Sequence, residues 1–407
     1  MKPRSAITLV LALLEASACA LRQHDLPRYK NIDPAQVRLA DDIRLARDGW
    51  PAARWWRRLG DAQLTALVER ALAGAPTMVV ARTRVAQARS AVEQVRSGTY
   101  LQALLVSSLN RERVSANGFL GAYAHDQPLI GATGPWYTEG VVGMGARLNV
   151  DLWGESRARV AATIGLENAR LAEVAAVELE LAADVAQLYY AIQTAHRLIA
   201  LLGQSHAVAV FAVGAHEGRA GTGLEARTGA EDARALQLTV ERSLRAAGTQ
   251  VVQLREALRA LVGAGADDFP DIRPAPLPAE PAGVPPLSYE LLARRPDLQA
   301  LRWYVQASLD RIDAARAAFY PRFDIRAFFG YDALHLGDLL RASSRQFNII
   351  PGLVLPIFDG SRLNADLQAA RHESNALIAQ YNGAVLNAVR DVAVTGAGLQ
   401  GLEAERD

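Results

Sequence analysis

Two adjacent carboxylates, Glu231 and Asp232, and one cysteine, Cys19, are the side chains whose chemistry stands out first. Carboxylates ringed around a pore select cations; an ordinary solvated helix face accounts for the same pair equally well. Cys19 is the single cysteine of the chain, so no internal disulfide is open to it and its thiol is free for modification. The seven histidines (His24, His125, His196, His206, His216, His335 and His372) show none of the spacings that hold a metal ion. The chain has no phosphate-binding glycine loop, no Gly-x-Ser-x-Gly turn and no His-Glu-x-x-His helix. These residues give no reason to expect an enzyme, a resident metal or a cofactor.

The elements that must position these residues announce themselves more clearly. From Leu291 to Arg326 the chain opens on Arg-Arg-Pro-Asp, with Pro296 at a first helical position where its missing N–H costs nothing. Leu298, Leu301, Val305, Leu309 and Ile312 then mark one buried helix face. Pro321 ends the helix, and Phe323, Ile325, Ala327 and Phe329 alternate with Asp324, Arg326 and Phe328 as a strand. The same design occurs earlier. Pro76–Gln102 lies on Pro296–Arg322 without a gap, matching Pro76, Arg82, Val85, Arg96 and Tyr100 to Pro296, Arg302, Val305, Arg316 and Tyr320. A second echo pairs Asp151-Leu-Trp-Gly-Glu-Ser-Arg157 with Ile357-Phe-Asp-Gly-Ser-Arg362, each leading into a long Ala-rich helix. Each half thus reads helix, strand, strand, helix, a repeat far longer than solenoid periods.

Order and sequence of these motifs (Leu-Leu-Ala-Arg-Arg-Pro-Asp-Leu, Ala-Ala-Phe-Tyr-Pro-Arg and Leu-Pro-Ile-Phe-Asp-Gly-Ser-Arg) resemble the TolC-like outer-membrane efflux channels, in particular the NodT-type lipoproteins of tripartite drug pumps. The similarity runs from about Trp55 to the end. It implies a mainly α fold with a membrane β-barrel part. Long coiled-coil hairpins would form a periplasmic tunnel, and four strands per chain would enter the barrel of a homotrimer. Function would be passive export of small toxic compounds or antibiotics, with a periplasmic adaptor and an inner-membrane pump as partners. Resistance to an aromatic acid such as fusaric acid is one role in the family, though no residue here selects it.

Composition agrees with that class. The formal net charge is +1, which offers no electrostatic footing for nucleic acid. Beyond the N-terminus no run of about 18 uncharged apolar residues occurs, so helical membrane spans are not expected and a barrel is the route left. Residues 1–18 have the form of a secretory signal: Lys2 and Arg4, apolar Ile7–Leu14, then small Ala16-Ser17-Ala18. Cys19 directly behind resembles a bacterial lipobox cysteine, which would be acylated and anchored in outer-membrane lipid.

Along the chain, residues 19–54 read as a polar arm, 55–265 as the first repeat, 266–288 as a Pro-rich linker and 289–407 as the second repeat. Asp61–Leu72 and Pro76–Gly98 are expected helices. Strand one starts near Tyr100, Asn117–Trp136 is a loop, and strand two, Val142–Leu152, alternates Val, Met, Ala and Leu with Gly, Arg, Asn and Asp. A soluble sheet with one wet face fits that alternation as well as a barrel does. A helix from Glu155 carries the seam Val174, Val177, Leu181, Val185, Leu188 and Ile192, and breaks at Arg219-Ala-Gly-Thr-Gly-Leu224 before a second helix returns. By the resemblance, Gly221, Thr222, Gly223 and Leu224 would be the periplasmic tip that meets the adaptor, with Glu231 and Asp232 near a constriction. The second half has room for an outgoing helix but no return, so the sequence reads as shortened at its C-terminus. Two rival readings remain: a periplasmic adaptor lipoprotein, and a soluble exported protein, either a coiled coil or an enzyme.

Overall fold

The computed structural model describes residues 29–31, 54–127, 132–278 and 295–406. The expected export signal, Cys19, most of the arm and the later part of the Pro-rich linker (279–288) lie outside the described residues. The elements in order are α1 (Ala62–Gly74), α2 (Pro76–Ser97), β1 (Gln102–Arg113), β2 (Trp136–Val150), α3 (Glu155–Gly221), α4 (Arg227–Val262), α5 (Pro296–Ala317), β3 (Arg322–Ala333), β4 (Arg345–Val354) and α6 (Arg362–Arg406). A short 3-10 turn and a two-residue ribbon occupy part of the stretch between β1 and β2.

The internal repeat is visible in the elements themselves. Helices α2 and α5 each span 22 residues from a proline, and β1 and β3 each span 12. Equivalent positions are buried in both copies: Met78 and Leu298, Val85 and Val305, Val92 and Ile312. The two turns that lead into the long helices use an aspartate differently. Asp151 accepts from the Arg157 amide at 2.9 Å, whereas Asp359 accepts from the Leu363 amide at 2.9 Å. Gly154 and Gly360 sit at φ 85° and 62°, the left-handed region that a Cβ disfavours.

Two compact units emerge, one built mainly from 87–168 and 301–381, the other mainly from 54–86, 169–278 and 382–406. In the first, β1, β2, β3 and β4 form one antiparallel sheet in chain order. Strand two begins at Trp136, earlier than Val142, because β1 continues to pair up to Arg113 against Trp136. The last strand ends at Val354, since Pro356 two residues on cannot donate to a ladder.

In the second unit, Leu64, Leu67 and Val68 of α1 pack with Leu181, Val185, Tyr189 and Ile192 of α3 and Leu258 and Val262 of α4. Phe269 and Ile272 from the start of the Pro-rich segment join this core. The described part of that segment has no ladder of its own, and two glutamine amides bind its backbone. Gln63 accepts from Arg273 N at 3.0 Å and donates to Arg273 O at 3.2 Å. Gln193 donates to Arg273 O at 3.0 Å and accepts from Ala275 N at 2.8 Å. Stretches of Ala62–Ser97 and of Glu155–Gly221 are apolar enough to span a membrane by length and composition alone once one or two charged residues are tolerated.

Asp61 ties this core together. Its Oδ1 accepts from the Leu64 amide at 3.0 Å as the α1 N-cap, and its Oδ2 accepts from the fully buried Tyr189 hydroxyl at 2.6 Å. Burial first, and the carboxylate second, push the Tyr189 phenol well above its usual range. Asp61→Ala is therefore expected to cost about 2–4 kcal/mol, a lost cap plus a stranded buried hydroxyl. Tyr189→Phe, which keeps the cap, should cost only about 1 kcal/mol. Chemical denaturation of the two variants checks the order; equal losses would show that the shared carboxylate is not the link.

Candidate functional site

Cross-strand register sorts the sheet into two faces. Directly paired residues point the same way, so one face carries Leu105, Met144, Phe329 and Phe347 in one row. Ala103, Ala146, Ala327 and Ile349 make the next row. Leu148, Ile325 and Pro351, then Val150, Phe323 and Leu353, continue it. This face is apolar across four strands and uncovered: Leu105, Met144, Phe329, Phe347 and Leu353 are all exposed. Strands of 12, 15, 12 and 10 residues suffice for a tilted crossing of a hydrocarbon layer. At one end of the same face Arg111 lies 5.5 Å from the Trp136 ring, the pairing of aromatic and cation expected at a headgroup level.

The opposite face is polar at its ends and carries Gly143, Gly145 and Gly330 in its middle. Arg147 and Arg326 are paired partners, and both reach the carboxylate of the next row, Asp324, at 3.6 and 2.9 Å. Asp324 is buried, and Gly352 opposite makes room for it, since a Cβ there would stand 2.4 Å from its Oδ1. Sequence reading found the alternation of Asp324 and Arg326 but not this cluster, because register between distant strands leaves no mark in either one alone. Farther along, Glu112, Glu139 and Asp332 occupy the same face.

At the end of α3, Gly223 takes φ 74°, its amide bonds Ala220 O at 3.2 Å and the Leu224 amide bonds Arg219 O at 2.9 Å. This is a Schellman cap. Thr222 Oγ1 adds a bond to Arg219 O at 3.0 Å. The structure thus brings Gly221, Thr222, Gly223 and Leu224 into one turn, with the Leu224 side chain 80% exposed instead of folded back on the helix. Glu231 and Asp232 follow in the first turns of α4, both exposed. Sequence reasoning passed over Glu225, which braces the turn: it accepts from Arg219 Nε at 2.8 Å and contacts His216 Nδ1 at 2.6 Å. The hydrogen bonds from His216 and then Arg219 hold its carboxyl below the usual glutamate range. A depressed folded value means the brace is intact above the unfolded glutamate pKa and is lost only as pH falls through the folded one. Hydrogen exchange at Thr222–Leu224 should stay slow from neutral to mildly acid pH and quicken below it; Glu225→Gln should quicken it at neutral pH already.

These features have counterparts in known proteins. The family described as outer membrane efflux protein matches residues 67–264 and 287–407. The multidrug resistance outer membrane protein MdtP of Escherichia coli K12 is 54% identical over 392 residues, 96% of this chain and 80% of that protein. Among solved structures, the outer membrane protein VceC of Vibrio cholerae superposes with a TM-score of 0.79 at 28% identity, covering 88% of this chain and 83% of that one. A membrane protein from Pseudomonas aeruginosa gives a TM-score of 0.81 at 26% identity, covering 93% of this chain and 84% of that one. On the repeat, the two-faced sheet and these relatives together, the chain belongs to the outer membrane efflux protein family, whose members are channels of the outer membrane and not enzymes.

Proposed function

We propose that this chain is one of three identical copies whose sheets join edge to edge into a barrel, the exit duct of a tripartite pump for drugs and other small toxic compounds. One observation carries the reading. The sheet has an apolar, uncovered face, and among the described residues the outer edges of β1 and β4 have no partner. In lipid an open edge is not tolerated, and four strands are too few to close a barrel that could pass a solute. Apolar side chains on the long helices, Leu201, Val208, Phe211, Leu236 and Leu238, are likewise exposed in the single chain and suit burial by neighbouring copies. The relatives named for multidrug resistance support drugs as cargo.

The same reading assigns the finer roles. Cys19 bears the acyl anchor, the turn Gly221–Leu224 with its exposed leucine meets the periplasmic adaptor, and Glu231 and Asp232 line a narrowing near it. Transport through the duct is passive, and the inner-membrane pump supplies the energy.

The test is extraction of the full chain from outer membranes, native mass measurement, labelling with a fatty-acid precursor, and conductance in planar bilayers. Three copies, a conducting pore, and label lost in Cys19→Ser are expected. A water-soluble monomer without conductance would sink the duct. A conducting pore without label would remove only the anchor.

A further inference from the structure

The polar face of the sheet opens, at the end where β2 leads into α3 and α5 leads into β3, on a cavity of about 370 Å³. Its walls include Arg147, Arg159, Arg322 and Arg326. The carboxylates sit behind the guanidiniums: side-chain exposure is 12% for Asp324 and 18% for Glu155, against 55–64% for the four arginines. Each of these carboxylates serves two arginines. Asp324 pairs with Arg147 and Arg326, and Glu155 pairs with Arg159 at 2.6 Å and Arg322 at 3.4 Å. The third acid in the wall, Asp151, is bound by Arg157 at 3.4 Å. Two positive charges per chain therefore remain uncompensated, on forks that keep unused N–H donors. At the rim Trp153 and Tyr320 stack at 5.0 Å, with the indole N–H held by Pro321 O at 2.9 Å and both rings partly exposed.

We propose that this cavity binds small organic anions, taking a carboxylate or sulfonate on the exposed guanidiniums and an apolar body against the Trp153–Tyr320 stack. The chemistry is that of charge-assisted, two-pronged recognition beside an aromatic surface. The acidic residues Glu112, Glu139 and Asp332 lie toward the other end of the same face. The basic end is thus a local station along the wall, not a uniformly positive bore. The assignment rests on the reading of the protein as an exit duct.

Equilibrium dialysis of labelled benzoate against the detergent-solubilised full chain tests it, alongside bilayer conductance. Wild type should bind benzoate saturably, benzylamine should not compete, and inorganic phosphate should compete poorly. Arg147→Gln with Arg322→Gln leaves Asp324 and Glu155 one arginine each, so the fold is kept while the excess charge is removed. This variant should weaken binding about tenfold or more, Trp153→Ala should weaken benzoate but not phosphate, and Arg147→Lys should be intermediate. Benzoate should also reduce conductance in wild type and not in the double variant. A conducting protein that binds benzoate and benzylamine alike, or whose double variant binds undiminished, would overturn the site and leave the duct standing. A protein that binds as described but does not conduct would keep the site and remove the duct.

Discussion

Gly143→Val should leave almost no assembled channel in the outer membrane, although the chain would still be made and exported. Gly143 and Gly330 are direct partners on the bore-facing side of β2 and β3. A Cβ at Gly143 would stand 2.6 Å from Gly330 Cα, 2.6 Å from Phe329 O and 2.8 Å from the Phe328 ring. Two of those three atoms belong to backbone and cannot swing aside. The Phe328 ring lies over the pair of glycines, an aromatic covering a stretch of strand that has no side chains of its own. A branched side chain would have to displace the ring and push two ladder-bonded strands apart, which exceeds the roughly 1–3 kcal/mol of ordinary overpacking. Gly145→Ala is the control, because its Cβ would meet side-chain atoms only, Val106 Cγ2 at 3.3 Å and Leu104 Cδ1 at 3.6 Å. Heat-modifiable migration of outer-membrane extracts reads the assembled fraction. Normal assembly of Gly143→Val would mean that these two strands are not paired in the working protein.

The limits of sequence reading are instructive at this same place. That β2 and β3 are strands was plain from period-two alternation, and that α2 and α5 are copies was plain from Pro76 and Pro296, because both signals are local. Gly143 read only as a small member of a polar face, and Gly330 drew no reading at all. Their meaning depends on register, which brings Gly143 to Gly330 and Arg147 with Arg326 to Asp324 across about 180 residues of intervening chain. Register is fixed by the collective fit of whole faces, so no single strand records it. The tip was legible for a related reason: Gly223 and Leu224 act through bonds to residues three and five positions back. The Pro-rich segment was legible as a linker, but the anchoring of its described part by Gln63 and Gln193 was not, since those side chains come from distant helices. Cys19 belongs to the sequence alone.

A pair of neighbouring substitutions decides which face of the sheet meets lipid. Leu105→Arg is expected to abolish or sharply reduce insertion, while Leu104→Arg should insert and conduct. Both leucines are exposed in the single chain, at 76% and 57%, and they are adjacent, so composition, strand and depth are shared between the two variants. Only the face differs. Leu105 pairs with Met144 in the row completed by Phe329 and Phe347, whereas Leu104 pairs with Gly145 on the side of Arg147 and Arg326. An arginine near the middle of the hydrocarbon layer costs a barrel about 2–4 kcal/mol per chain, and one facing the water-filled lumen alters conductance instead. If three chains share one barrel the penalty enters three times, enough to empty the assembled state. A sheet that lay in water on one face and on protein on the other would reverse the ranking or erase it. The readings are the outer-membrane fraction of each variant and the single-channel current of Leu104→Arg, which should be smaller than wild type because the added guanidinium projects into the bore.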